Sequence, residues 1–385
     1  MRSRNANPLD NVHRLLRNAA LALLVSGCSE PVDQESLSPD GPVALVEIGR
    51  IGSIDGASAQ LSRVSSVYVD QSADEIFVAD GIDRSIRVFD RDGQLLRQWG
   101  RAGEGPGEFE GAPRLTLGRD SVLVIDGTRY HFFDRDGTHL VTGRLESDYR
   151  VSVGEDVWAQ PDGWAVSFRE VEPGVTGPNP YRTWYQLSPE SGVANRLHRV
   201  KHPGGEPSGL LSYVPTAVPG GHVLVEADTA AYELQIIESD GAVGPRLAFD
   251  VPAVPMPTDV EGLAREAVLE QCAESASPVQ CEVVATRSLE EQASRPRPAV
   301  RPIPGVIIAS RDSLAMIQRA DLEANPFAPG DETIYDLVHL RGERLGTYEV
   351  EPNFIPHWFG GGELWGVVLG EFDVPYVVGF SVPPT

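Results

Sequence analysis

The pentapeptide FDRDG occurs twice, at 89–93 and again at 133–137, 44 residues later, and the residues around it repeat as well. The first copy reads VSSVYVDQSADEIFVADGIDRSIRVFDRDGQLLRQWGRAGEGPGEF from Val64, and the second PRLTLGRDSVLVIDGTRYHFFDRDGTHL from Pro113. Asp80 and Asp126, each closing an apolar run, are 46 apart, so the loop between Asp and FDRDG differs by two residues. Within the first copy, short apolar or alternating runs at 64–69, 75–78, 85–89 and 95–99 are separated by polar turns. Asp92-Gly93 has the composition of a two-residue hairpin turn, since both positions tolerate positive φ. A repeat of this length with four short strands is a propeller blade. One blade alone leaves two apolar faces in water; blades stacked round a ring cover both.

Counting onward gives blade one at about 61–100 and blade two at about 111–146. Blade three has runs at 151–158, 164–168, 183–187 and 194–200. Blade four has them at 214–218, 222–226, 233–238 and 246–251, and blade five at 305–310, 313–318, 334–340 and 344–350. Blade six has only three, at 354–359, 363–369 and 376–381, while VALVEI at 43–48 is a strand without a blade. Pairing the two removes both exposed edges. The expected fold is all-β: residues 43–385 form a six-bladed β-propeller of four-stranded antiparallel blades, closed by the N-terminal strand. One helical insertion, 252–302, falls between blades four and five. In it Thr258 and Glu261 have the spacing of a capping box. Val260, Leu263, Ala264, Ala267 and Val268 line one face of the helix that follows, with Cys272 near its end.

The motif Phe77-Val78-Ala79-Asp80, an Arg-containing turn, then Ile86 to Asp90 and Asp-Gly resembles NHL-type repeats. The connector Gly103-Glu104-Gly105-Pro106-Gly107-Glu108-Phe109 is similar to the blade-to-blade connector of bacterial six-bladed propeller lipoproteins. The resemblance is strongest over 60–140.

Arg14 and Arg17 precede an apolar run at 19–25, too short to span a bilayer, and Val25-Ser26-Gly27-Cys28 follows. Small residues before a cysteine resemble the lipobox of bacterial lipoproteins. That resemblance implies residues 1–27 as signal peptide, a diacylated Cys28, and, with Ser29 next, anchoring at the outer membrane facing the periplasm or cell surface. A plain signal peptide with an incidental cysteine is the alternative. Residues 28–42, rich in Pro, Ser, Asp and Gly, read as a flexible tether. Cys272 and Cys281, nine positions apart, are then an even pair; in an oxidising compartment a disulfide is the simplest reading, and a metal pair the other.

The formal charge is −24, and the first 27 residues hold Arg2, Arg4, Arg14 and Arg17 against Asp10, leaving −27 for the remainder. Nucleic-acid binding, which needs clustered cations, is therefore not expected. Contact with membrane is expected through the lipid alone, and the protein is expected to be a monomer.

In this strand order the connectors between blades and the turns between second and third strands open on one face. The three long segments, 170–182, 319–332 and 252–302, all fall there. A pocket over the central channel follows as an expectation. Residues assigned to that face are Asp83, Arg84, Arg129, Tyr130, His131, Arg169, Arg319 and Asp321. Arg84, Arg129, Arg169 and Arg319 suit an anionic or polyol ligand through planar, multidentate hydrogen bonds. For Arg84 and Arg129 the competing reading is pairing with the repeat aspartates Asp80 and Asp126. His131, placed on a turn, is either a satisfied residue or a ligand. Trp158, Trp358 and Trp365 fall in strands, as core, channel lining or sugar-stacking surface. The stretch 103–109 lacks the Lys-Ser/Thr and following helix of a phosphate loop.

No nucleophile-and-base spacing or metal signature is present, so a non-catalytic binding or scaffold module for a small molecule or protein partner is the first functional expectation, with no cofactor. The alternative is a metal-dependent hydrolase or lyase. Rings of the gluconolactonase type and the peptide-amidating lyase are similar propellers, and hold a divalent cation in the channel through carboxylate and Asn oxygens or through His nitrogens. This chain departs from both: after Cys28 its asparagines are Asn179, Asn195, Asn325 and Asn353, and its histidines occupy no repeated position.

Overall fold

Apolar and β-branched runs bounded by Asp, Gly and Ser fold as strands, antiparallel except for Val43–Ala44, among the described residues. The computed structural model describes residues 42–53, 60–146, 148, 150–160, 163–171, 181–187, 194–201, 216–218, 221–225, 232–238, 243–249, 258–273, 277–293, 307–309, 313–318, 334–370 and 373–383. All belong to the unit from Pro42 to Thr385. They form six sheets and two helices.

The first sheet is Val64–Asp70, Glu75–Asp80, Ser85–Asp90 and Leu95–Trp99, in sequential order. The second is Arg114–Leu117, Ser121–Asp126, Arg129–Asp134 and His139–Arg144. The third runs Arg150–Gln160, Gly163–Val171, Tyr181–Leu187 and Ala194–Lys201, and the fourth Thr216–Val218, Gly221–Val225, Tyr232–Glu238 and Val243–Phe249. The fifth contains Ile307–Ala309, Leu314–Gln318, Ile334–His339 and Glu343–Glu349, and the sixth Ile355–Gly360, Glu363–Leu369 and Pro375–Ser381. The repeated pentapeptide makes the same turn twice, though not the two-residue turn expected from Asp92-Gly93. Its first aspartate closes the hairpin: the Gln94 N–H donates to Asp90 Oδ1 at 2.7 Å and the Thr138 N–H to Asp134 Oδ1 at 2.7 Å. Gly93 and Gly137 follow at φ 79° and 88°, a region an L side chain disfavours.

The N-terminal segment supplies the strand missing from the sixth sheet, shifted by three residues from the expected 43–48. Val46–Ile51 pairs antiparallel with the last strand, Val46 opposite Ser381 and Ile51 opposite Val377. Val43–Ala44 departs to the fifth sheet and pairs parallel with Tyr348 and Glu349.

The first strand of each sheet packs against the first strand of the next, from first to sixth, and the sixth sheet's first strand packs against the first sheet's. This is a β-propeller arrangement. Its apolar core therefore lies between sheets. Phe77, Ile86 and Val88 of the first sheet meet Leu115, Val122 and Phe133 of the second, and Trp365 and Val377 of the sixth meet Val67 and Ile76 of the first. The ends carrying the turns from first to second and third to fourth strand are fastened by charge: Arg135 to Asp70 at 2.9 Å, and Arg91 to Glu363 at 2.6 Å.

The insertion holds two helices where the sequence indicated one: α1, Val260–Ala273, and α2, Pro278–Ala293. The N-cap of α1 is Asp259, whose Oδ1 accepts the Gly262 N–H at 3.0 Å, rather than Thr258. Ser277 caps α2, and Gln280 reaches back to the Ser277 N–H at 3.1 Å. The pair is bridged by the disulfide Cys272–Cys281, Cα atoms 5.5 Å apart. Among the described residues its buried side chains are small, namely Ala264, Ala267, Cys281 and Ala285. The crosslink adds to this contact by holding the end of α1 beside the start of α2. Replacing both cysteines by serine is expected to lower the opening free energy of the helix pair by about 2 kcal/mol. Hydrogen exchange at α1 and α2 amides measures this; unchanged protection would show that packing alone suffices.

Candidate functional site

The second strands of the first three sheets each carry a buried carboxylate at or one residue before their end: Asp80, Asp126 and Glu170. In the first sheet Asp80 accepts the N–H groups of Ser62 (2.8 Å), Ile82 (3.1 Å) and Asp83 (3.1 Å). In the second, Asp126 accepts those of Glu110 and Gly111. Each aspartate thus draws the chain entering its sheet onto the end of the second strand.

A guanidinium meets each carboxylate. Arg129 Nη2 lies 3.7 Å from Asp126, while Nη1 donates to Glu110 at 2.9 Å and to the Glu104 carbonyl at 3.1 Å; Nη2 also donates to the Glu108 carbonyl. The connector 103–109 is held by this side chain. In the first sheet the equivalent cation is Arg87, not Arg84: it lies 4.0 Å from Asp80 and donates to Asp83 and the Gln60 carbonyl. Arg84 sits in the preceding turn at φ 51°, half-buried. In the third sheet Arg199 donates to Glu170 and to Thr183 Oγ1 (3.0 Å); Thr183 (2.6 Å) and Tyr185 also donate to that carboxylate. This group was not visible in the sequence, because Glu170, Thr183, Tyr185 and Arg199 share no repeated spacing.

His131 lies in a strand, Arg129–Asp134, rather than on a turn, and is fully buried. Arg129 Nη2 stands 3.2 Å from its Nε2, and its Nδ1 is 2.8 Å from Thr142 Oγ1. A guanidinium only donates, so Nε2 accepts and the ring carries its proton on Nδ1. Burial, then the Arg129 charge, push the pKa down to about 3. Asp126, 4.0 Å away, does not offset them. The imidazole is a neutral strut beneath the connector.

The remaining sequence candidates disperse. Tyr130 is buried against Phe132 in the core between second and third sheets. Asp83 is tied to Arg87. Arg169 lies on Gly163–Val171 opposite Val153 and Arg182, while Arg319 and Asp321 fall outside the described residues, as does Cys28. Trp365 is buried, and Trp358 packs against Tyr68 with ring centroids 6.1 Å apart. Among the described residues no group of three His, Cys, Asp or Glu side chains converges on one point. No described helix is long and apolar enough to cross a membrane.

No family model matches the chain, and no curated protein is similar in sequence. Solved structures are similar in fold. An exported-protein candidate from Bacteroides fragilis is 10% identical at a TM-score of 0.52, covering 90% of this chain and 98% of its own. A member of the DUF4221 family from Bacteroides vulgatus is 9% identical at a TM-score of 0.50, covering 88% and 98%.

Proposed function

We propose that residues 43–385 are a closed, six-bladed NHL-type propeller, held outside the cytoplasm by a lipid on Cys28, that binds a small molecule or protein partner over its central channel. The observation behind the binding face is where the chain spends its length. In every sheet the turn between first and second strands is short, and so is that between third and fourth in the first five, the sixth taking its fourth strand from Val46–Ile51. The long stretches 172–180 and 319–333 link second to third strands, and 250–306 links the fourth sheet to the fifth. In an antiparallel sheet with sequential order these connections all leave from the same end. Recognition on a rigid scaffold concentrates where such connections gather. The carboxylate–arginine pairs at that end of the first three sheets give it a fixed base. The reading is of a monomeric binder without a cofactor, and an acidic surface disfavours nucleic acid.

The test is a thermal-shift screen of the full lipidated chain, extracted in detergent, against sugars, lactones and anionic metabolites. A ligand at a hundred times its Kd stabilises by about 2.7 kcal/mol, which a melting curve resolves. A flat response across all three classes would remove the small-molecule reading. The anchor is tested separately: Cys28→Ser is expected to move the protein from the membrane fraction to the soluble one and abolish incorporation of labelled palmitate. Continued membrane pelleting would end the lipoprotein reading.

A further inference from the structure

In five of the six sheets the pairing of third with fourth strand leaves one extra residue on the fourth. It is Leu96 in the first sheet, Leu140 in the second, Leu197 in the third, Leu345 in the fifth and Ile48 in the sixth. A bulge re-aims one side chain, and each of these residues is leucine or isoleucine. Ile48, Leu96 and Leu140 are 44%, 49% and 55% exposed. Leu345 differs: it is half-buried, and it packs with Leu45 on one apolar cluster drawn from the fifth and sixth sheets. The fifth sheet is also the one whose outer edge carries a further strand. There Val43 and Ala44 lie parallel against Tyr348 and Glu349, three and four residues beyond Leu345. The Leu45 N–H then donates to the Glu349 carbonyl at 2.9 Å. One outer edge thus already holds an extended apolar segment.

We infer that the outer edge of the second sheet, beside Leu140, takes an extended apolar segment of a partner protein, added parallel to the fourth strand as Val43–Ala44 is added to the fifth sheet. To repeat the register seen at Glu349, the edge strand must run four residues past its bulge. His139–Arg144 does so, whereas Leu95–Trp99 and Val46–Ile51 stop three past theirs. Ala194–Lys201 has the same reach, but among the described side chains Leu140 alone joins that reach to exposure. Among the described residues no strand covers the His139–Arg144 edge. An uncovered edge offers N–H and C=O groups to an incoming strand, main-chain pairing giving affinity and side-chain contacts selectivity. In the shared register the incoming peptide sets two residues opposite Gly143 and Arg144, and an apolar third, like Leu45, follows. The chain's net charge of −24 favours basic flanks on that peptide. The edge belongs to an outer strand, so the site is separate from the channel face proposed above and does not depend on it.

The probe is the labelled peptide Arg-Pro-Val-Ala-Leu-Val-Arg, which sets residues 42–46 between two arginines, titrated into the full chain by fluorescence anisotropy. It is expected to bind and to slow hydrogen exchange of the amides at 139–144. Leu140→Asp is expected to weaken binding at least tenfold, the equivalent of about 1.4 kcal/mol, and Leu96→Asp to leave it unchanged. The same peptide N-methylated at its leucine loses the N–H that Leu45 donates in the fifth sheet, and is expected to bind the wild-type chain at least tenfold more weakly. That comparison needs no protein variant, so it carries the test should Leu140→Asp fail to fold. No binding, or equal binding of the N-methylated peptide or by Leu140→Asp, overturns the inference. Protection at 343–349 in place of 139–144 would mean that the peptide displaces the chain's own segment, and overturns it too. So would a dimer in sedimentation velocity that Leu140→Asp abolishes, since a second copy would then occupy the edge. Leu140-dependent pelleting of the Cys28→Ser chain with phosphatidylcholine vesicles, with no peptide bound, would assign the leucine to lipid instead.

Discussion

Replacing Asp126 by alanine is expected to cost about 3–5 kcal/mol of stability. The carboxylate is buried, takes the N–H groups of Glu110 and Gly111, and faces Arg129 at 3.7 Å. Alanine leaves two backbone donors without their acceptor and removes the buried carboxylate beside a guanidinium whose side chain is only 6% exposed. Glu110 remains as its carboxylate partner, but that side chain is 38% exposed and weakly held. Asp126→Asn, which keeps one carbonyl oxygen, should cost roughly half as much. Urea denaturation gives both numbers; a loss for Asp126→Ala below about 1 kcal/mol would mean that the connector is held by its own contacts.

The second large effect is on acidification. His131 is neutral in the folded protein with its pKa near 3, whereas in the unfolded chain it titrates near 6.5. Below that value the unfolded state takes up a proton the native state refuses. Stability is therefore complete above pH 6.5 and falls as the pH drops toward 3. Each pH unit is worth about 1.4 kcal/mol, so His131 alone removes about 2 kcal/mol between pH 6.5 and 5. His357, depressed to about 4, adds to the same slope. The carboxylates held below their ordinary range, Asp70 and Asp134, lose their contribution only below about pH 4. Denaturation at pH 7, 6 and 5 should therefore show a steep decline that is markedly shallower in His131→Gln. Identical slopes in the two proteins would place the ring in contact with water.

Turn chemistry made the architecture readable. FDRDG marks the same hairpin in both copies, and four strands recur around it with bounds close to those the alternation predicts. The N-terminal strand was found by subtraction, because a three-stranded sixth unit needs a partner. Its division between two sheets was not readable, since nothing in VALVEI marks Leu45 as the point of departure. The arginines misled for a physical reason. Arg84 and Arg129 both follow the repeat aspartate within a few residues, but aligned on FDRDG they differ by one position, and Arg129 matches Ser85. The buried cation of the first sheet is Arg87, at the position His131 occupies in the second. The second helix had a signal: Ser277-Pro278-Val279-Gln280 is a capping box with proline at the first helical position.

Val43–Ala44 and Val46–Ile51 join the fifth and sixth sheets only when Glu343–Glu349 and Pro375–Ser381 exist to receive them. On the ribosome these residues must wait, unpaired, until the later strands that receive them have been made. Synthesis and completion of the fold are thereby separated in time. The same dependence runs backwards: a protease that trims Pro375–Ser381 also leaves Val46–Ile51 without its partner strand.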